Sequence, residues 1–189
     1  MMKFKKVGYS DGAVELTALH ARPDMQPRAA VAVYPTFMNS TPNVEAKAAQ
    51  LVEAGFAVII GDFYGPEAPS NAEEAFAAMR RLRSDPAAMR NRLRATLHLL
   101  SRLEPEAPQL AIGFCLGGMA VLEMARDGQD LAAVFSFHGM LETALPADMK
   151  IKPRILVCHG DADALVPREQ VLGFWQEMDS VKADWHFHS

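Results

Sequence analysis

The chain has 189 residues, with 19 Lys plus Arg against 23 Asp plus Glu, for a formal charge of −4. Half the residues are hydrophobic and 22% are charged, which suits one globular domain with a substantial core and excludes collagen, coiled coil and wholesale disorder. The mild acidity is spread along the chain, which argues against a nucleic-acid partner, because phosphate binding wants a clustered basic face.

Residues 3–9 and 13–20 flank Ser10-Asp11-Gly12, a turn signal, and are expected to form an antiparallel hairpin at one sheet edge. Residues 31–34 are short, apolar and β-branched, and Pro35 stops them. Thr41 as N-cap, Pro42 at the first helical position and Glu45 in the first turn open a helix that runs to Gly55. Residues 56–60 repeat the buried-strand pattern, and Gly61-Asp62-Phe63-Tyr64-Gly65 turns out of it. Residues 71–82 and 86–103 are predicted helices. The second places Met89, Leu93, Leu97 and Leu100 at helical spacing, and its arginines, Arg90, Arg92 and Arg94, are expected on a solvated face.

A strand over 110–112 runs into Gly113-Phe114-Cys115-Leu116-Gly117-Gly118, and a helix over 119–126 follows. Strands over 132–137 and 155–158, a helix over 168–178 and a last strand-like piece over 184–188 complete the pattern. Alternating strands and helices imply a mostly parallel sheet flanked by helices, with right-handed crossovers. No linker divides the chain, so residues 1–189 are expected to form a single domain. No apolar run is long enough to span a bilayer, no signal peptide precedes the first strand, and Cys115 and Cys158 make no disulfide framework. A cytoplasmic protein without a membrane partner is therefore expected.

The strongest chemical signal is the glycine-flanked Cys115. A nucleophile on a sharp strand-to-helix turn needs small neighbours, and Gly113 and Gly117 fall two residues before and after it. The next backbone N–H, from Leu116, points to where an oxyanion would form, and the helix N-terminus beneath favours negative charge there. The second signal is His159-Gly160-Asp161-Ala162-Asp163, directly after a strand. An acid that orients a histidine belongs at such a strand end, and the residues alone leave Asp161 and Asp163 open. His159, Asp161 and Asp163 do not match a metal-ligand spacing, so no metal is expected.

Together these segments resemble the dienelactone hydrolase family of α/β-hydrolases. The resemblance rests on Val31-Ala32-Val33-Tyr34-Pro35, Gly55-Phe56-Ala57-Val58, Asp62-Phe63-Tyr64-Gly65, the Gly113–Gly118 elbow, Phe137-His138-Gly139, and His159-Gly160-Asp161-Ala162-Asp163 with Val166-Pro167. It implies an α/β-hydrolase fold, Cys115 as nucleophile and Asp163 as the orienting acid. It also implies an oxyanion hole built from the backbone N–H groups of Leu116 and Thr36. The substrates implied are small esters or lactones, cleaved without a cofactor by a monomer or homodimer. The glutamate that the family carries just after the early strand falls at Pro35. The family's catalytic histidine follows the last strand, so here it is expected shortly beyond Ser189. His186 and His188 share one polar face of that strand, and His138 stands at another strand end. Two alternatives keep the fold without the hydrolysis: a binding module with the same pocket, and a redox-sensing thiol at Cys115.

Overall fold

The six apolar runs predicted as strands become the parallel part of one eight-stranded sheet. The computed structural model describes residues 2–189. In chain order its elements are β1 (Lys5–Ser10), β2 (Glu15–Ala21), β3 (Ala30–Tyr34), α1 (Pro42–Glu53), β4 (Ala57–Ile60), α2 (Ala72–Arg83), α3 (Pro86–Leu103), β5 (Gln109–Phe114), α4 (Leu116–Arg126), β6 (Ala133–Phe137), β7 (Arg154–Cys158), α5 (Arg168–Ser180) and β8 (Trp185–His188). The strand order is β1-β2-β4-β3-β5-β6-β7-β8. β1 and β2 form the expected antiparallel hairpin at one edge, and β2 joins the sheet antiparallel to β4. The remaining pairs are parallel, so the ends of β3, β5, β6 and β7 all open on the same rim of the sheet.

The helices start where their caps say they should. Thr41, Asn71 and Asp85 each accept a backbone N–H of the first turn of α1, α2 and α3. α3, α4 and α5 cover one sheet face, burying Leu93, Leu97, Met124 and Phe174 against Ala32, Tyr34, Val134 and Ile155. α1 alone covers the other, with Val44, Ala48 and Val52 on Val31, Val33, Val58 and Ile60. Beyond α1, on this second face, a groove of about 450 Å³ is lined by Leu51, Ile112, Phe114 and Phe137.

Two expectations need correction. Arg90, Arg92 and Arg94 of α3 do not form a solvated face. Arg90 is buried and donates twice to Glu123, Arg92 binds Asp11 and the Phe63 carbonyl, and Arg94 binds Asp127. Each has an acidic partner on a distant segment, and helical spacing alone does not reveal such a partner. The helix after the elbow starts at Leu116 rather than at 119, because Gly117 and Gly118 are its first turn and not a loop before it.

An ion network fastens α3, α4 and α5 to the loop after β6. Arg126, buried in α4, donates to Glu123, Glu177 and the Leu141 carbonyl. Glu177 in turn accepts the Ala147 N–H, and Arg90 reaches the Leu145 carbonyl.

Candidate active site

β5 ends at Phe114 and α4 begins at Leu116, so the whole reversal is made at Cys115. Its backbone stands at φ 58° and ψ −116°, a conformation that costs a residue with a side chain about 1–3 kcal/mol. Two hydrogen bonds hold it there. The Cys115 N–H donates to the Phe137 carbonyl at 3.0 Å, and the Cys115 carbonyl accepts from Met119 at 3.2 Å.

The turn is this sharp because backbone lies directly on backbone. A Cβ on Gly113 would collide with the Gly117 carbonyl, and one on Gly117 would collide with the Tyr34 and Pro35 carbonyls. The first turn of α4 is therefore seated on the end of β3, and the loop that leaves β3 runs beside the elbow. That loop carries Thr36. The Leu116 N–H has no hydrogen-bond acceptor among the described residues, while Thr36 pairs back onto Asn39 in an isolated antiparallel bridge. The Leu116 N–H adjoins the half-buried Cys115 at the positive end of α4.

The Thr36 loop is a tight turn. The Asn39 N–H closes on the Thr36 carbonyl at 2.9 Å, and the Met38 N–H donates to Thr36 Oγ1 at 3.3 Å. Asn39 adopts φ 63°. Its side chain donates to buried Asp62 and accepts from the Phe63 N–H. Tyr64 donates its hydroxyl to the Phe37 carbonyl at 2.9 Å. Burial, and after it the proximity of Cys115, pushes the Tyr64 phenol well above its ordinary value. Tyr64 thus lies within electrostatic reach of the elbow. Nothing in the sequence singles out Asn39, and Asp62 and Tyr64 enter only as part of a turn and of a segment that carries the family resemblance, with no role attached. Asn at a left-handed position was the one signal available for Asn39, and it appears only once φ is known.

Asp163 lies in the loop after β7, on the same rim as the elbow. It is half-buried, and its carboxylate accepts the Leu165 N–H at 2.9 Å. Asp161 is exposed. Among the described residues no histidine is hydrogen-bonded to Asp163 or to Cys115. His138 is exposed at φ 40°, and His186 and His188 are exposed on β8. His159 is buried against Phe187, with ring centroids 5.4 Å apart. Cys158, expected inside a buried strand, is half-buried, because it faces the sheet side beyond α1. Among the described residues no helix is long and apolar enough to cross a membrane, and no cluster of side chains is arranged to hold a metal ion.

Comparison with known proteins gives this geometry a context. A sequence model of the dienelactone hydrolase family matches residues 16–189. The chain is similar to a dienelactone hydrolase-like promiscuous phosphotriesterase from metagenomic libraries, with 32% identity and a TM-score of 0.90. That match covers 98% of this chain and 80% of the other. A dienelactone hydrolase from Anabaena variabilis shares the fold at 20% identity and a TM-score of 0.76, covering 98% of this chain and 84% of its own. An uncharacterised protein of Caenorhabditis elegans is 37% identical over 106 residues, which is 53% of this chain and 67% of the other.

Proposed function

The chain belongs to the dienelactone hydrolase family, and from that premise we propose that it cleaves small ester or lactone bonds by acyl transfer through Cys115. Family and fold support a hydrolase. The observation that carries it is the strained elbow at φ 58°, followed directly by the uncommitted Leu116 N–H at the start of α4. A backbone held this far from its preferred conformation marks functional sites.

The Cys115 thiolate attacks the carbonyl carbon, and the oxygen takes up the negative charge. The Leu116 and Thr36 N–H groups hold that oxyanion. As the tetrahedral centre collapses, the carbon–oxygen bond to the alcohol breaks and a thioester remains. Water then releases the acid. Asp163, on the same rim, is the carboxylate this reading assigns to orienting a general base beside the thiol. The small-molecule substrate meets a site that needs neither metal nor cofactor for these steps.

The test is single-turnover acylation, read by mass spectrometry. p-Nitrophenyl acetate should place one acetyl group on Cys115, the Cys115→Ala variant should take none, and iodoacetamide should label Cys115 ahead of Cys158. Acylation at Cys158, or none at all, would sink the proposal. A stable sulfenic acid on mild peroxide treatment, without acylation, would favour the thiol sensor.

A further inference from the structure

Half of the oxyanion hole sits on a helix and half on a loop, and the two halves are not equally rigid by construction. The Leu116 N–H is fixed by α4, whose first turn is wedged against β3. The Thr36 N–H is carried by a four-residue turn that belongs to no strand or helix. Something must hold that turn in place if the second donor is to meet an oxyanion.

What holds it is a set of long-range hydrogen bonds from the end of β4. The Asp62 carboxylate is buried and accepts four N–H donors. Three of them, from Asn39 Nδ2, the Tyr64 N–H and the Gly65 N–H, converge on one oxygen at 2.9–3.0 Å. The other oxygen takes the Thr17 N–H of β2 at 2.9 Å. Asp62 itself is fixed through its backbone, since its N–H donates to the Tyr9 hydroxyl at 3.0 Å. Asn39 completes the connection in the opposite direction by accepting the Phe63 N–H at 3.2 Å. Its own N–H closes the turn onto Thr36. The Tyr64 hydroxyl ties down Phe37 between them.

We propose that Asn39, locked by Asp62, is a positioning residue that sets where the Thr36 N–H stands in the oxyanion hole, with Tyr64 as a second tether. This rests on the acyl-transfer reading of Cys115 and deepens it. Neither side chain need touch the substrate. Their effect falls on the transition state, because only there does charge develop on the oxygen that Thr36 serves.

Two reactions of the same thiolate separate this role from a merely structural one. With p-nitrophenyl acetate, a carbon–sulfur bond forms, the ester carbon–oxygen bond breaks and p-nitrophenolate departs through a tetrahedral oxyanion. With iodoacetamide, a carbon–sulfur bond forms as iodide leaves, and no oxyanion arises. Asn39→Gly suits the left-handed backbone while removing both side-chain hydrogen bonds. It should slow acylation of Cys115 by roughly ten- to a hundredfold, the scale of a small misplacement at a reacting centre, and leave alkylation unchanged. Tyr64→Phe, which removes only the tether to Phe37, should move the same ratio in the same direction by less. If acylation and alkylation fall together, or neither falls, Asn39 does not set the hole and the proposal is overturned. Wild-type protein that is alkylated at Cys115 but never acylated overturns the acyl-transfer reading instead, and this positioning role with it.

Discussion

Gly117→Ala should cost this fold at least about 3 kcal/mol, near the upper range for a single substitution. The new Cβ would be driven into the carbonyls of Tyr34 and Pro35, which are backbone and not the movable end of a side chain. β3 cannot yield easily. It lies in the middle of the sheet, hydrogen-bonded to β4 on one side and β5 on the other. α4 would have to lift off β3, and it would carry Leu116 and Cys115 with it. For a chain of this length the corresponding fall in melting temperature is about 6–12 °C. Acylation of Cys115 should be lost in whatever folded protein remains. A melting temperature equal to wild type would show that the helix can withdraw without cost, and that the close seating of α4 is dispensable.

The second large effect is expected at Arg126. Its guanidinium is almost fully enclosed, donating to Glu123, Glu177 and the Leu141 carbonyl and lying 5.9 Å from the Phe174 ring centre. Arg126→Met fills much of the same space but leaves Glu123 with Arg90 alone, Glu177 with the Ala147 N–H alone and the Leu141 carbonyl without its donor. Breaking one side of a buried ion pair in this way costs about 3–5 kcal/mol. Salt should change the loss little, since buried charges are poorly screened. Because Arg126 and Glu177 also grip Leu141 and Ala147, amide hydrogen exchange should quicken in that loop as well as in α5. An unchanged urea midpoint for Arg126→Met would mean that packing, not the charge network, binds the three helices.

What could be read from the sequence was whatever depends on neighbours along the chain. The elbow was visible because the glycines that let β5 and α4 approach are two residues either side of Cys115. The edge hairpin was visible because Ser10-Asp11-Gly12 makes its turn locally, with the Asp11 carboxylate accepting the Ala13 and Val14 N–H groups. What stayed hidden was set by distant partners. Arg90 looks like a surface charge until Glu123, 33 residues later, is brought beneath it. Asp62 looks like a turn residue until Thr17 and Asn39 arrive from two other segments. The half-burial of Cys158 was hidden for a related reason. An apolar strand says that it is covered, but not which of its faces lacks a helix.

The conformation of Cys115 sets two selective pressures against each other at a single position. Glycine at 115 would relax the φ 58°, ψ −116° backbone and relieve part of a strain on the order of 1–3 kcal/mol. The Cys115→Gly protein should thus melt higher than its parent while taking no acyl group. Improvement of this chain by thermal screening alone would drift toward erasing its nucleophile. Any stabilised library should hold residue 115 constant, and gains made elsewhere can then support the strain that the elbow keeps.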